Sequence, residues 1–184
     1  FITEFQAWFV KEFVQRFSYK ALSVDVKETS LTDMNGEARD HVIQGNIGIH
    51  YDSNLTVPEK FLYDAVVFDS PKEKESIMNS DIDEVVVFGK IPRRSIQVPL
   101  FFGGTTSPDF MYLLKKDGKH ELNFIVETKD IENESSLRYE EKLRIESARK
   151  FFEALKIDGV NVKFEKQLKN DDIESLIRKI LLAE

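Results

Sequence analysis

The feature that most constrains this chain is a pair of strand-like apolar runs joined by a short turn. Residues 110–114 and 122–126 are rich in aromatic and branched apolar side chains, and the residues between them include Asp117 and Gly118. Asp-Gly between two such runs is the strongest short-range signal for a β-hairpin. The sequence therefore predicts an antiparallel strand pair with a two-residue turn, flanked by Lys116 and Lys119.

The segments that follow the hairpin predict an α/β arrangement. Apolar spacing predicts a long helix over 135–155 that ends at Gly159, and alternation predicts a strand over 160–164. A last amphipathic helix is expected to begin near Asn170 or Asp171. The order strand, strand, helix, strand, helix is typical of a mixed sheet with helices packed on it.

The segment before the hairpin contains a clear helix start. Ser70 can cap a helix, Pro71 suits the first helical position, and Glu73 completes a capping box. The sequence thus predicts a short helix over 71–79, followed by a strand over 85–88. A proline-punctuated extended segment comes next, and Gly103-Gly104 is interpreted as a tight backbone turn.

Residues 1–60 predict a helix and a β-hairpin that extend the core. Aromatic residues recur at helical spacing over 1–21, and strand-like alternation over 22–26 and 42–49 surrounds turn residues at 33–36. The aromatic stripe has two interpretations. It either packs into the core or forms an interface with a missing upstream domain.

Length and composition limit the class of protein. A chain of 184 residues suits one domain, which we divide into the extension 1–60, a catalytic core 61–165 and a terminal helix 166–184. The net charge of −7 means that any contact with DNA must come from a local basic cluster or from a partner. The absence of cysteine excludes thiolate metal sites and fits a reducing cytoplasm, and no apolar run is long enough for a membrane helix.

Three chemically capable side chains are predicted to converge at the open end of the hairpin. Antiparallel counting from the turn places Asp109 opposite about Val126, within one residue of Glu127. Because strand side chains alternate, Glu127 and Lys129 share a face and Thr128 points to the other. Two carboxylates and a lysine suit metal-dependent hydrolysis of phosphodiesters. A surface salt bridge among the same three side chains is the alternative interpretation.

The residues around the hairpin resemble a known nuclease pattern. Ser-Pro-Asp-Phe at 107–110 and Val-Glu-Thr-Lys at 126–129 resemble the PD-(D/E)xK motif. The wider pattern resembles the C-terminal endonuclease domain of the restriction (Res) subunit of type III restriction enzymes. That wider pattern comprises Lys90-Ile91-Pro92, Val98-Pro99, Phe102-Gly103-Gly104-Thr105, Leu137-Arg138, Glu141-Lys142 and 148–155.

This resemblance implies a restriction-endonuclease-like α/β fold, in which helices flank a mixed central sheet, and Mg²⁺-dependent hydrolysis of double-stranded DNA. Mn²⁺ would substitute for Mg²⁺. The metal ligands implied are Asp109 and Glu127, with the carbonyl oxygen of Thr128 as a further one. Lys129 would activate or position the attacking water.

The resemblance also implies one more acidic residue near the metal, in a Ser-x-x-Glu pattern before the strand that leads to Lys90. That pattern falls on Ser70 and Glu73, with Glu75 as the candidate if the helix register differs. A capping role alone would also explain Glu73.

Four basic residues are candidate contacts to DNA phosphates. Two lie just before the site on the extended segment and two on the long helix. Glutamates four residues along the helix offer ordinary surface pairing as an alternative. The candidates are Arg93, Arg94, Arg138 and Lys142.

In type III enzymes the Res subunit joins a helicase-like ATPase to this nuclease and works with a DNA-methylating modification subunit. The chain has no Gly-x-x-x-x-Gly-Lys-Ser/Thr phosphate loop, so ATP dependence would belong to an upstream motor domain of the same chain. A start in mid-helix at Phe1 is expected for such a fragment. The alternatives are a non-catalytic DNA-clamping or subunit-docking module that retains the fold, and a repair or junction nuclease.

Overall fold

The computed structural model describes residues 1–9, 12, 16–22, 28–116 and 120–183. The strands are β1 His50–Tyr51, β2 Val67–Phe68, β3 Val85–Lys90, β4 Val98–Pro99, β5 Thr105–Thr106, β6 Phe110–Lys116, β7 His120–Thr128 and β8 Val162–Gln167. The helices are α1 Ile2–Phe9, α2 Gln44–Ile47, α3 Pro71–Met78, α4 Tyr139–Ile157 and α5 Ile173–Leu182. A short 3₁₀ helix at Glu134–Ser136 precedes α4.

A four-stranded mixed sheet forms the centre of the fold, in the order β3-β6-β7-β8. The first three of these strands are antiparallel, whereas β8 is parallel to β7. A parallel neighbour needs a crossover connection, and α4 supplies it. The predicted α/β architecture of a mixed sheet flanked by helices is therefore confirmed.

The two faces of the sheet carry different helices. Tyr112 and Phe124 pack with Ile177 of α5 in the larger core cluster, which also includes α3. Ile125, the next residue along β7, instead packs with Phe152 of α4 on the opposite face. Because side chains alternate along a strand, this assignment also fixes which residues beyond Ile125 face α4.

The helix ends follow the predicted capping residues closely, except at α4. The Ser70 hydroxyl accepts a hydrogen bond from the Glu73 N–H at 3.2 Å, and Asp172 caps α5, one residue after the predicted start. The predicted helix from residue 135 is wrong at its start. The chain forms the 3₁₀ turn and then extends at the buried Leu137, so that α4 begins at Tyr139.

The N-terminal helix is shorter than predicted. Residues 17–22 are not helical, since the Tyr19 ring packs edge-on against Phe151 and its hydroxyl donates to the carbonyl of Pro99. The aromatic side chains of α1 are not core either. Phe1 and Trp8 are 98% and 58% exposed, so the core-packing interpretation is wrong for them.

In the described ranges, no helix combines the length and apolar character that a membrane crossing needs.

The predicted hairpin within residues 1–60 is largely replaced by other structure. Residues 23–27 lie outside the described ranges, and the segment 42–49 forms α2 rather than a strand. The turn at 33–36 does form, but it closes a single bridge between Thr32 and Ala38. Strand β1 pairs with β2, so the boundary predicted at residue 60 separates two strands of one sheet. The division of the chain into three segments stays a prediction.

Candidate active site

The register of the central hairpin places Asp109 directly beside Glu127. Strand pairs run from Lys116 with His120 to Phe110 with Val126, so Asp109, one residue before β6, lies opposite Glu127. Three residues separate the paired strand ends, where the sequence predicted two, which shifts the partner of Asp109 by one residue. The predicted two-residue turn, Asp117-Gly118, lies outside the described ranges.

Asp109 is held by hydrogen bonds from three directions. Its N–H donates to the carbonyl of Val126 at 3.1 Å, and its carbonyl accepts from the N–H of Ile91 at 2.8 Å. Its carboxylate oxygen Oδ2 accepts from the backbone N–H of Thr128 at 2.6 Å. The half-buried carboxylate is therefore fixed against the end of β7.

Glu127 and Lys129 form an ion pair on the face of the sheet that carries α4. The Lys129 ammonium lies 2.6 Å from Oε1 of Glu127, and only 12% of the Glu127 side chain is exposed. Thr128 points to the other face, as alternation predicts, and lies in register with the buried Gln167 of β8. Its buried hydroxyl has no hydrogen-bond partner among the described residues.

Burial and like charge both oppose ionisation of the two carboxyls. Burial raises the pKa of Asp109 well above its usual value, and the charges of Glu127 and Glu73 raise it further. Burial also raises the pKa of Glu127, against the opposing effect of Lys129. For Lys129, burial favours the neutral amine, but the neighbouring carboxylates outweigh it and raise its pKa. Such perturbed groups concentrate at functional sites.

Glu73 lies within electrostatic reach of this pair and is itself buried. Its oxygen Oε2 accepts from the Lys90 ammonium at 2.6 Å and from the N–H of Asp69 at 2.8 Å. Lys90 is 3% exposed and also binds the Asp69 carboxylate at 2.9 Å. Glu75, the alternative candidate, is 52% exposed and pairs with Lys72, so the helix register places Glu73 on the side of the site.

Two carboxylates form the core of this site, rather than three. Within the described part of the chain, no group of three or more histidine or acidic side chains is arranged to hold a metal ion. Mg²⁺ commonly binds proteins through one or two carboxylates together with waters and substrate phosphates. The oxygen donors of Asp109 and Glu127 match that kind of site.

The DNA-contact candidates on α4 and its N-terminal side differ in position. Arg138 lines a cavity of about 500 Å³ together with Lys129. Its guanidinium is bound to Glu141 at 3.3 Å. Lys142 does not line that cavity. Surface pairing of the predicted kind does occur on α4, where Arg149 pairs with Glu146.

The structure separates Arg93 from Arg94. The Arg93 guanidinium binds Asp69 at 3.1 Å and the carbonyl of Gly45 at 3.1 Å, which ties the extended segment to α2. Arg94 has a positive φ of 68° and lines a different cavity, with His41. These two arginines are therefore not gathered with Lys129.

Sequence reasoning overlooked two residues near the site. Arg144 lines the cavity beside Lys129, and its charge lowers the pKa of Glu127. It was not among the basic residues of the long helix that were predicted from the sequence, Arg138 and Lys142, and only the docking of α4 on the sheet reveals it. Lys90 belonged to the family pattern, but its burial against Glu73 required the tertiary structure.

Comparison with known proteins places this sequence in a family. Residues 59–171, more than half of the chain, match the family described as "Endonuclease domain". No solved structure gave a significant match.

The relatives found among curated proteins are Res subunits. The chain is 36% identical over 179 residues to the EcoPI Res subunit of Escherichia phage P1 and, equally, to the EcoP15I Res subunit of Escherichia coli. Each match covers 96% of this chain but 18% of the relative. The StyLTI Res subunit of Salmonella typhimurium strain LT2 is 28% identical over 155 residues, which cover 83% of this chain and 15% of the relative. The chain therefore belongs to the endonuclease-domain family that is represented in the Res subunits of type III restriction-modification enzymes.

Proposed function

We propose that this protein hydrolyses phosphodiester bonds of double-stranded DNA in a divalent-metal-dependent reaction, as the cleavage module of a type III restriction-modification enzyme. The observation that carries the proposal is the placement of Asp109 opposite Glu127, with the Lys129 ammonium 2.6 Å from Glu127. The similarity to Res subunits supports the same substrate and the same kind of enzyme.

The donor set suits a hard divalent cation. Burial and neighbouring negative charge raise the pKa of both carboxyls, from Glu127 and Glu73 at Asp109 and from Glu73 at Glu127, and a bound cation would relieve that repulsion. Asp109 and Glu127 would hold Mg²⁺, or Mn²⁺ in its place, with the carbonyl oxygen of Thr128 as a third donor. Glu73 would contribute through water, because its Oε2 is already bound to Lys90. The cation supplies a Lewis acid that offsets phosphate charge and makes a nearby water more acidic.

Lys129 is the electrostatic partner of the reacting phosphate. Its raised pKa keeps the ammonium charged near neutral pH. A charged Lys129 can position the attacking water and stabilise the negative charge that develops on the phosphate. In the step it assists, water attacks phosphorus and releases a proton to solvent, the bond to the leaving sugar oxygen breaks, and that oxygen takes up a proton from solvent. Asp109 stays fixed by the N–H of Thr128 throughout.

DNA binding is assigned to Arg138, which the geometry supports best, and to Arg93, Arg94 and Lys142. Arg138 stands at the rim of the cavity beside Lys129. Arg93 can reach a phosphate only by releasing Asp69, and the surface of Arg94 lies apart from the site. Contacts of this kind set register and affinity rather than sequence specificity.

The partners proposed are a helicase-like ATPase domain upstream in the same chain and a modification subunit that methylates DNA. The chain spans 18% of the Res subunits it matches, which leaves room for such a motor in a parent protein. ATP would act only through that motor.

The test is nicking of supercoiled plasmid by the purified protein with Mg²⁺ or Mn²⁺, beside Lys129→Ala and an EDTA control. We expect metal-dependent nicking that is absent in the variant. Full cleavage by Lys129→Ala would contradict the assignment.

The competing non-catalytic DNA-clamping or docking role predicts that the protein has no specific site for a divalent metal. Calorimetric titration of Mn²⁺ into the protein and into Asp109→Ala separates the two. Binding that is present in the first and absent in the second supports the nuclease, whereas equal heats in both favour the clamp.

A further inference from the structure

A cavity of about 500 Å³ opens beside Lys129, between the start of α4 and α1. Its walls include Tyr139 and Arg144 of α4, Arg138 immediately before that helix, and Gln6 of α1. The Tyr139 hydroxyl donates to the carbonyl of Gln6 at 3.0 Å, which joins the two helices at this wall. Sites of this volume accommodate small-molecule-sized groups, so one nucleotide of a DNA strand can enter next to the active site.

Arg144 differs from most arginines of the protein in having an uncommitted side chain. Most of the arginines form an ion pair, with a guanidinium nitrogen within 4 Å of a carboxylate oxygen. These are Arg16, Arg39, Arg93, Arg138, Arg149 and Arg178. None of the ion pairs in the described ranges includes Arg144, whose side chain is exposed at the cavity. A guanidinium in this position can present its planar fork to an anion without first breaking a protein contact.

None of the ion pairs in the described ranges joins Arg144 to the other charged residues of the cavity, which include Glu140 four residues before it. Glu141 also lines the cavity, but it is engaged by the N–H and the guanidinium of Arg138. Lys129 is engaged by Glu127. Arg144 lines the same cavity as Lys129, so its positive charge faces the space next to the carboxylate pair.

We propose that Arg144 binds the backbone phosphate adjacent to the scissile one and that the cavity between α4 and α1 receives the intervening nucleotide. This inference rests on the proposed nuclease function and deepens it, because it names a substrate-binding residue outside the Asp109, Glu127 and Lys129 set. A phosphate held there would fix the position of the scissile bond relative to Lys129.

The experiment measures the affinity of the purified protein for a fluorescein-labelled DNA duplex as a function of NaCl, with Ca²⁺ replacing Mg²⁺. Arg144→Ala should weaken binding about 5- to 20-fold and reduce the slope of log affinity against log salt by about one, as expected for one lost phosphate contact. Arg144→Lys should keep the slope, because it keeps the charge. Arg178→Ala, which removes an arginine of α5 outside the cavity, is the matched control and should behave as wild type.

An affinity and a salt slope of Arg144→Ala equal to those of wild type would overturn the subsite, and so would a slope in Arg144→Lys as low as in Arg144→Ala. Cleavage by Lys129→Ala, measured in parallel, separates this failure from failure of the function. Cleavage by wild type that Lys129→Ala lacks, together with an unaltered Arg144→Ala, removes only the subsite. No cleavage by wild type, or equal cleavage by wild type and Lys129→Ala, removes the active-site assignment on which the subsite rests.

Discussion

The carboxylate of Asp109 and the backbone N–H of Thr128 are joined by a hydrogen bond of 2.6 Å. The bond links the residue before β6 to the end of β7, and it holds the Asp109 carboxyl beside Glu127, where burial and like charge oppose its ionisation. The fold therefore maintains an electrostatically unfavourable arrangement, which is the usual cost of a preorganised site.

Asp109→Asn should stabilise the protein at pH 8 by about 1 kcal/mol, or roughly 2–4 °C in Tm, while abolishing cleavage. The amide oxygen can still accept the N–H of Thr128, and the repulsion from Glu127 is removed. The measurement is urea unfolding in EDTA between pH 8 and pH 4. Asp52→Asn is the control, and it should not stabilise, because Lys74 lowers the pKa of Asp52.

The pH dependence of that gain has a definite sign. The pKa of Asp109 is higher in the folded state than its ordinary value of 3.8, so the folded state binds the proton more tightly than the unfolded one. The charge penalty in wild type is complete above the folded-state pKa and disappears as the pH falls toward 3.8. The advantage of Asp109→Asn should shrink over the same window, and an advantage independent of pH would contradict this account.

Lys129→Ala should lower the cleavage rate by about 10²- to 10³-fold, the usual effect of removing one group that stabilises charge in the transition state. Folding should persist, since 22% of the side chain is exposed and no core packing depends on it. Plasmid nicking under single-turnover conditions measures the rate, and circular dichroism checks the fold. Lys169→Ala, which removes an exposed lysine paired with Asp130, should cleave as wild type does.

Glu73→Gln and Glu75→Gln should differ although the residues are two positions apart. The first leaves the buried Lys90 with only Asp69 as its ionic partner and should cost about 1–3 kcal/mol, together with weaker binding of Mn²⁺. The second removes the carboxylate bound to Lys72, whose side chain is 3% exposed, so it should also destabilise the fold, but it should leave the binding of Mn²⁺ unchanged. Chemical unfolding and calorimetric Mn²⁺ titration on both variants test the pair. Equal metal affinities in both would restrict Glu73 to its structural role.

Gly48→Ala and Gly45→Ala form a second matched pair. A Cβ at Gly48 would lie 2.9 Å from backbone atoms of Phe68, so β1 and β2 would have to separate, at a cost of about 1–3 kcal/mol. A Cβ at Gly45 meets nothing within 4 Å and lies in α2, where alanine is favoured by about 0.4–1 kcal/mol. Thermal unfolding measures both effects, and similar Tm values for the two variants would contradict the close approach.

The local elements of the catalytic half could be predicted from the sequence because the signals are local. Asp-Gly between apolar runs, the cap at Ser70 and the periodicity of α5 each depend on residues within one turn or one strand pair. The convergence of Asp109 with Glu127 also followed from the sequence, since antiparallel pairing converts a count of residues into proximity. The start of α4 was misplaced because the burial of Leu137, a tertiary contact, ends the 3₁₀ turn before the helix begins.

The N-terminal segment and the charges around the site were decided by the tertiary structure. Residues 42–49 alternate like a strand, but Gln44–Ile47 form α2, and the strand that pairs with β2 is His50–Tyr51. Helical spacing could not predict that Arg144 would reach the cavity, nor that Lys90 would be buried against Glu73. The sequence by itself determined which residue types stand at the hairpin and how far apart they are. Only the packing of α3 and α4 on the two faces of the sheet determined burial, ion pairing and pKa, because these depend on neighbours distant along the chain.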